Sequence, residues 1–342
     1  MTTASETRVF AEPTLGQRVV PFVHEMLLAL LLVGLLVVAR VVDQKGFVTA
    51  SVQQGLFFNV WDLALLALPM TLIIITGGID LSVGSTMALA SVTLGMLYKV
   101  AHWPIGLAAV AAVVVGILCG LLNGIFIAKV RVHPLIVTLA TFSAFRGLAE
   151  GLSLGVATMM GAKPVFSGFP EGFTSIGQHA FFMGSDPSMA GWLFILAAIV
   201  LAIVLAKTPM GRTLYAIGHN EQAARYAGLR VDRIKIAIYT LSGLMAGMVA
   251  LNYSAYNDTA QASVGEGIEL DVITAVVLGG TSIFGGRGRI LGTVLGVLLI
   301  HETREFVSWH YHQNELVRVV LGALLIVAVA MNALLGRRRG GR

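Results

Sequence analysis

The run Thr76-Gly77-Gly78-Ile79-Asp80-Leu81-Ser82-Val83-Gly84-Ser85 puts one carboxyl group, several hydroxyls and three glycines between two long apolar stretches, Leu63–Ile75 and Met87–Leu97. Between two membrane helices such a run needs a reason. An acid near the hydrocarbon core costs about 3 kcal/mol on insertion scales. A broken helix is tolerated there only where it faces protein or a water-filled cavity. The chemistry to expect is therefore passage of a polar solute, not bond making. Two roles stay open for Asp80: capping a helix through Ser82 and the amides that follow, and facing a polar pathway or its gate.

Further polar residues lie inside apolar stretches: Asn123, Thr138, Thr141, Ser143, Arg146 and Asn252, then Glu269, Asp271 and Thr274. Neutral ones usually bond helix to helix. Arg146 must point into the bundle or meet an acid, with Asp80 and Asp271 as candidate partners. Glu266, Glu269 and Asp271 mark the outer end of a span, or simply a helix start with acids at the positive end of its dipole. The candidate pathway or gating set is Asp80, Ser82, Asn123, Thr138, Thr141, Arg146, Asp271 and Thr274.

A second cluster is Asn220-Glu221-Gln222-Ala223-Ala224-Arg225-Tyr226-Ala227-Gly228. It reads as a short helix, with Asn220 as its cap, Glu221 in its first turn and Gly228 at its end. It is either a plain surface helix or a docking helix seated in a partner's groove, where small alanines allow close approach. The coupling candidates are Asn220, Glu221, Ala223, Ala224, Arg225 and Gly228.

Enzyme motifs are missing. There is no P-loop, no H-E-x-x-H and no C-x-x-C. His301, His310 and His312 lack metal-ligand spacing on one helix face and read as interfacial. The lone cysteine, Cys119, reads as a small packing residue. No metal site and no cofactor is expected in this chain.

The elements that must position these residues are membrane helices. Of 342 residues 56% are hydrophobic and 12% charged, with mean hydropathy +0.84; a soluble domain carries about 25% charge. The expected fold is all-α and polytopic, with about ten transmembrane helices and broken or re-entrant segments. Expected spans are 23–42, 60–75, 82–97, 104–128, 134–154, 190–206, 236–256, 270–283, 290–300 and 316–335. The first reads as a retained span, since no small-x-small cleavage site follows it. Lys and Arg concentrate in 129–131, 207–235, 287–289 and 337–342, which should be cytoplasmic; the acidic connections 155–189 and 257–269 should lie outside. The chain then divides into a cytoplasmic tail (1–22), a transmembrane domain (23–336) with a basic loop at 207–235, and a basic cytoplasmic tail (337–342). The net charge of +5 is explained by these loops, and no nucleic-acid partner is expected.

Glycines recur every four residues at Gly116/Gly120/Gly124, at Gly147/Gly151/Gly155 and at Gly288/Gly292/Gly296, with Gly243/Gly247 as a shorter pair. Such spacing lets helices pack closely, here within one bundle, with a homodimer seam as the alternative. There is also an internal echo: Gly77-Gly78-Ile79-Asp80-Leu81 aligns with Gly279-Gly280-Thr281-Ser282-Ile283, and Gly84 with Gly286. Paired interruptions of this kind point to a transport site.

The residues resemble a family. Thr76–Ser85 is similar to the signature of permease subunits of bacterial ABC sugar importers of the ribose type, within the branched-chain amino acid permease superfamily. So are Asn123-Gly124, the run Val132–Thr141 leading to Arg146-Gly147, Gly218–Ala224 with Gly228, and Glu269–Gly280 continuing to Phe284-Gly285-Gly286 and Gly292-Thr293. His133 and Thr274 depart from the family's usual small or apolar residues. The resemblance implies an inner-membrane permease, multi-pass with both termini cytoplasmic, that passes a monosaccharide from periplasm to cytoplasm. It implies a second permease copy or paralogue, cytoplasmic ATPase subunits that bind ATP and Mg, and a periplasmic sugar-binding protein. The 221–228 helix resembles the ATPase-coupling loop. Rival readings are a permease for another small solute, of branched-chain amino acid or autoinducer type, and an ion-coupled secondary transporter using Asp80 and Asp271.

Overall fold

The computed structural model describes residues 23–43, 46–161, 163–178, 189–312 and 315–326; the expected tails at 1–22 and 337–342 lie outside them. Each expected span holds a helix. In chain order they are α1 (Val23–Val42), α2 (Ala50–Ile75), α3 (Val83–Lys99), α4 (Ile105–Ala128) and α5 (Pro134–Met160). After strand β1 (Val165–Ser167) and helix α6 (Glu171–Gln178) come α7 (Met189–Lys207), α8 (Pro209–His219), α9 (Glu221–Tyr226) and α10 (Val231–Asn257). Strand β2 (Thr259–Gln261), α11 (Ile268–Leu278), α12 (Ile290–Tyr311) and α13 (315–326) complete the chain. Among the described residues, α1, α4, α5, α7 and α10 are long and apolar enough to cross a bilayer by themselves.

Burial separates lipid-facing helices from central ones. Along α4 the exposed residues Leu107, Val110, Val114, Leu118 and Leu122 recur at helical spacing. An apolar stripe left bare is what lipid requires, since tails solvate it as well as protein does. The stretch Leu65–Ile75 of α2 is instead buried on every side, and α2 packs on α7, α10, α11 and α12.

The closest pairing is α4 on α10, and glycine makes it. A Cβ on Gly120 would overlap the Tyr239 carbonyl oxygen, and one on Gly124 would stand 2.8 Å from the Cα of Ile236. Gly116 and Gly243 meet backbone to backbone in the same seam, and Gly292 and Gly296 seat α12 on α11 likewise. The second set departs from expectation: Gly147, Gly151 and Gly155 meet nothing within 4 Å. They lie on a face of α5 that this chain leaves open.

The internal echo is a shared helix ending. At the end of α2, the Gly77 amide donates to Ile74 O and the Gly78 amide to Ile73 O (2.9 and 3.0 Å). At the end of α11, Gly280 donates to Val277 O and Thr281 to Val276 O (2.9 and 3.2 Å). Gly77 and Gly280 both take positive φ, +78° and +90°. This is one C-capping pattern used twice, in which only the residue at positive φ is constrained to glycine. The register is therefore Gly77 with Gly280, one residue away from the alignment read in the sequence. Gly84 lies within α3 whereas Gly286 lies in a loop, so that equivalence fails.

The two breaks meet. The Gly286 amide donates to Ile75 O at 2.8 Å, and Gly218, at the end of α8, packs against both atoms. The connections expected to share the opposite side also meet. β1 and β2 pair antiparallel, with Phe166 opposite Ala260, and the Asp258 carboxyl accepts from the Gly168 and Phe169 amides (3.1 and 2.7 Å). Neither short strand was legible as such.

Two span lengths differ from expectation. α12 runs without interruption to Tyr311, through the polar stretch beginning at His301. α11 has only 11 residues, about 16 Å, half of a bilayer's core. It is a half-helix. Its start lies inside the bundle, where Gly265 and Glu269 pack on Gly84 of α3.

Candidate functional site

The predicted residues fall into three places strung along α10. The first is a polar lock around Asp80, which is 2% exposed. Its Oδ1 accepts from the Ser82 amide (2.9 Å) and the Ser82 hydroxyl (2.7 Å), and its Oδ2 accepts from the Ser242 hydroxyl of α10 (2.9 Å). The Asn123 amide of α4 donates to Ser82 Oγ at 2.8 Å, and the Thr138 hydroxyl of α5 donates to Ile79 O at 3.2 Å. Three helices thus fasten the unwound segment, and the backbone groups freed by the break find side-chain partners. Asp80 orders the turn before α3 and ties it to α10. It sits beside Ser242, about 16 Å along α10 from that helix's start, so the lock lies deeper in the bundle than the Gly77 end of the break.

Sequence reasoning missed Ser242 and Tyr239. The Tyr239 hydroxyl stands 2.6 Å from where a Cβ on Gly78 would lie. A serine and a tyrosine in an apolar run carry no mark separating them from ordinary helix glue. Thr141 is no part of the lock: its hydroxyl bonds back to Val137 O at 3.0 Å.

Arg146 pairs with neither Asp80 nor Asp271. Its guanidinium donates to the carbonyls of Ala262 and Val264 (3.0 Å to the latter), so it clamps the loop that dips in before α11. Asp271 instead accepts from Arg304 of α12 at 2.8 Å.

The second place is a cavity of about 880 Å³ at the strand end of the bundle, walled by α2, α3, α10, α11, α12, α13 and the loop before α11. Asp271 and Thr274 line it, as do Asp62, Asn252 and His301. His301 departs from the interfacial reading: it is 3% exposed. Met87 of α3 lines the same cavity, and Ser82 of the lock lies five residues earlier, about 7.5 Å along the chain of a helix. Cavity and lock are thus neighbours along α3.

The third place is the α8–α9 hairpin at the opposite end of α10. The Thr208 hydroxyl accepts from the Gly211 amide with Pro209 in the first turn, and Asn220 Oδ1 accepts from the Ala223 amide (2.9 Å). Gly228 ends the short helix at φ +76°. Inside the hairpin, Arg225 bridges Glu221 (2.9 Å) and Asp232 (2.6 Å), and Lys235 reaches Glu221 (2.5 Å). Burial alone would push the Glu221 carboxyl up; hydrogen bonds from Lys235 and Arg225 outweigh it and hold the group below its ordinary value. Its contribution is complete above about pH 4.3, the unfolded value, and fades as pH falls through the lower folded one. The same bridge to Glu221 raises the Arg225 guanidinium.

Three residues of the coupling set have partners within this chain. Ala224 is buried on Ile217 and Val231, and Glu221 and Arg225 are spent on tying α9 to α10. The outward face of the segment holds Gln222, Ala223, Ala227 and Gly228 with Tyr226, which is 91% exposed. Tyrosines this exposed are well suited to anchoring a contact, and the sequence reading did not single this one out.

A helical bundle with two paired breaks, a polar lock beneath a cavity and a hairpin at the far end defines a multi-pass membrane permease. The chain belongs to the family described as "Branched-chain amino acid transport system / permease component", which matches residues 52–329. It is 38% identical over 274 residues to the ribose import permease protein RbsC of Bacillus subtilis (strain 168), covering 78% of this chain and 80% of that one. It is 34% identical over 267 residues to the autoinducer 2 import system permease protein LsrD of Photorhabdus luminescens, covering 78% of each.

Proposed function

We propose that the chain is the permease subunit of an ATP-driven ABC importer that carries a monosaccharide from periplasm to cytoplasm across the bacterial inner membrane. The observation that carries this reading is α10. One 27-residue helix holds the hairpin cluster through Asp232 and Lys235, the lock through Ser242 and the cavity through Asn252. A force on the hairpin therefore reaches both levels of the path along one rod. The chain does no covalent chemistry. ATP and Mg belong to cytoplasmic ATPase subunits seated on the Ala223/Tyr226 face, a periplasmic binding protein delivers the solute, and a second permease copy or paralogue completes the assembly. Both termini, the 1–22 tail and the 337–342 tail, are assigned to the cytoplasm with the hairpin. ATP binding then favours one of two permease conformations by differential affinity.

An autoinducer-type solute is the second reading, supported by the likeness to LsrD. An ion-coupled transporter is less well supported, because its two candidate acids serve different contacts: Asp80 fastens a turn and Asp271 meets Arg304.

Two measurements test the proposal. Cells lacking this chain should lose uptake of one sugar in a panel, and cells lacking the ATPase should lose the same one. Tyr226→Asp should strip the ATPase from the purified complex and abolish uptake while the permease stays folded. Full ATPase retention in that variant would remove the docking assignment, and sugar uptake indifferent to the chain would remove the function.

A further inference from the structure

We propose that the cavity is a solute-selecting site within the permease itself, built for a small neutral polyhydroxylated molecule. This rests on the permease reading and adds what the path recognises. Its volume, about 880 Å³, lies at the upper end of small-molecule sites, about 300–1,000 Å³, and leaves room for a monosaccharide with bound water.

The lining chemistry favours hydroxyl groups. Asn252 and Asp62 stand side by side, the amide donating to Asp62 Oδ1 at 2.8 Å. A carboxyl next to an amide offers acceptors and a donor at the spacing of two neighbouring hydroxyls. Asp271 and Arg304, also on the lining, form an ion pair at 2.8 Å whose remaining acceptors and donors suit hydroxyls as well. Tyr253 and Tyr256 supply aromatic surface on the α10 wall.

His301 completes the wall: it lines the cavity and is 3% exposed, with its Nε2 buried inside the wall rather than presented to the cavity.

Charge sets the class. Asp62, Glu266, Asp271 and Glu305 outnumber Arg304 and Arg318 on the walls. The N-terminus of α11 faces acids of its own first turn, Glu269 and Asp271, so its dipole is already answered. An anionic solute meets net repulsion here, whereas a neutral polyol does not.

The test uses the complete permease–ATPase complex in proteoliposomes. A reporter, Ser263→Cys, stands on the exposed part of the lining, and the single native cysteine, Cys119, is buried. Labelling of the reporter by an impermeant maleimide should be slowed by D-ribose or D-glucose without any binding protein, and not by gluconate or glucose 6-phosphate. Asp62→Asn should abolish that protection and raise the KM of binding-protein-driven uptake about tenfold, the loss of one hydrogen bond to a charged group, with binding-protein affinity unchanged. His301→Gln, which keeps a donor and an acceptor, should disturb both readouts less than His301→Ala. Equal protection by neutral and anionic sugars, or none by any, would overturn the site, as would a normal KM in Asp62→Asn. In each case uptake that still depends on the chain leaves the permease function standing; uptake that does not depend on it fails that function instead.

Discussion

Replacing Asp80 with alanine is expected to cut ATP-driven uptake more than tenfold while capture of solute by the binding protein is unchanged. The reason is local. Three donors, the Ser82 amide, the Ser82 hydroxyl and the Ser242 hydroxyl, converge on this one side chain in a site that is 2% exposed. Each donor left without an acceptor costs about 1–3 kcal/mol, and 1.4 kcal/mol is already tenfold. The segment 76–82 then loses its tie to α10, and motion of that helix no longer governs the path. Asp80→Asn is the informative companion. It keeps one acceptor for Ser82 and presents an amide that Ser242 Oγ can accept, so most of the uptake should return. Uptake at the normal rate in the alanine variant would show that the lock does not gate, whatever its part in folding.

Gly218→Ala is expected to be the most damaging single methyl in the described chain. The added Cβ would overlap the Ile75 carbonyl oxygen and the Gly286 amide nitrogen. Those two atoms are bonded to each other at 2.8 Å and join the two helix breaks. All the clashing atoms are backbone, so no side chain can rotate away, and overpacking of this kind costs about 1–3 kcal/mol or more. The purified permease should melt several degrees lower and uptake should be lost. Gly147→Ala is the matched control, since a Cβ there meets nothing within 4 Å, and it should leave both measurements unchanged. A normal melting temperature in Gly218→Ala would mean that the junction yields readily and that the two breaks are not held as one unit.

The contrast between these glycines shows where sequence reading reaches its limit. Gly116, Gly120 and Gly124 share their spacing with Gly147, Gly151 and Gly155, and only the first set meets a facing helix. Spacing states that a helix face is small; it does not state what stands opposite. Arg146 teaches the same lesson. Its burial demanded acceptors, and acids were the natural candidates, but loop carbonyls of Ala262 and Val264 serve equally well. The 220–228 segment reads as a short helix from its cap and stop alone, but that Ala224 is its inner face and that Arg225 reaches across to Asp232 is decided by what packs against it.

What the sequence determined by itself is the class of molecule. Apolar length, the scarcity of charge, and the interrupted run at Thr76–Ser85 follow from the bilayer's refusal of unpaired backbone, a rule that acts on every residue independently of its neighbours in space. The helix breaks, the Asn220 cap and the Gly228 stop were legible for the same reason, because each is decided within a turn of chain. Tertiary structure alone decided that Ser242 answers Asp80 from 162 residues away, that α11 is a half-helix, and that His301 joins Asp62 and Asn252 around a cavity. Those are meetings of distant segments, and the energy that selects them comes from packing and desolvation, which no local pattern carries.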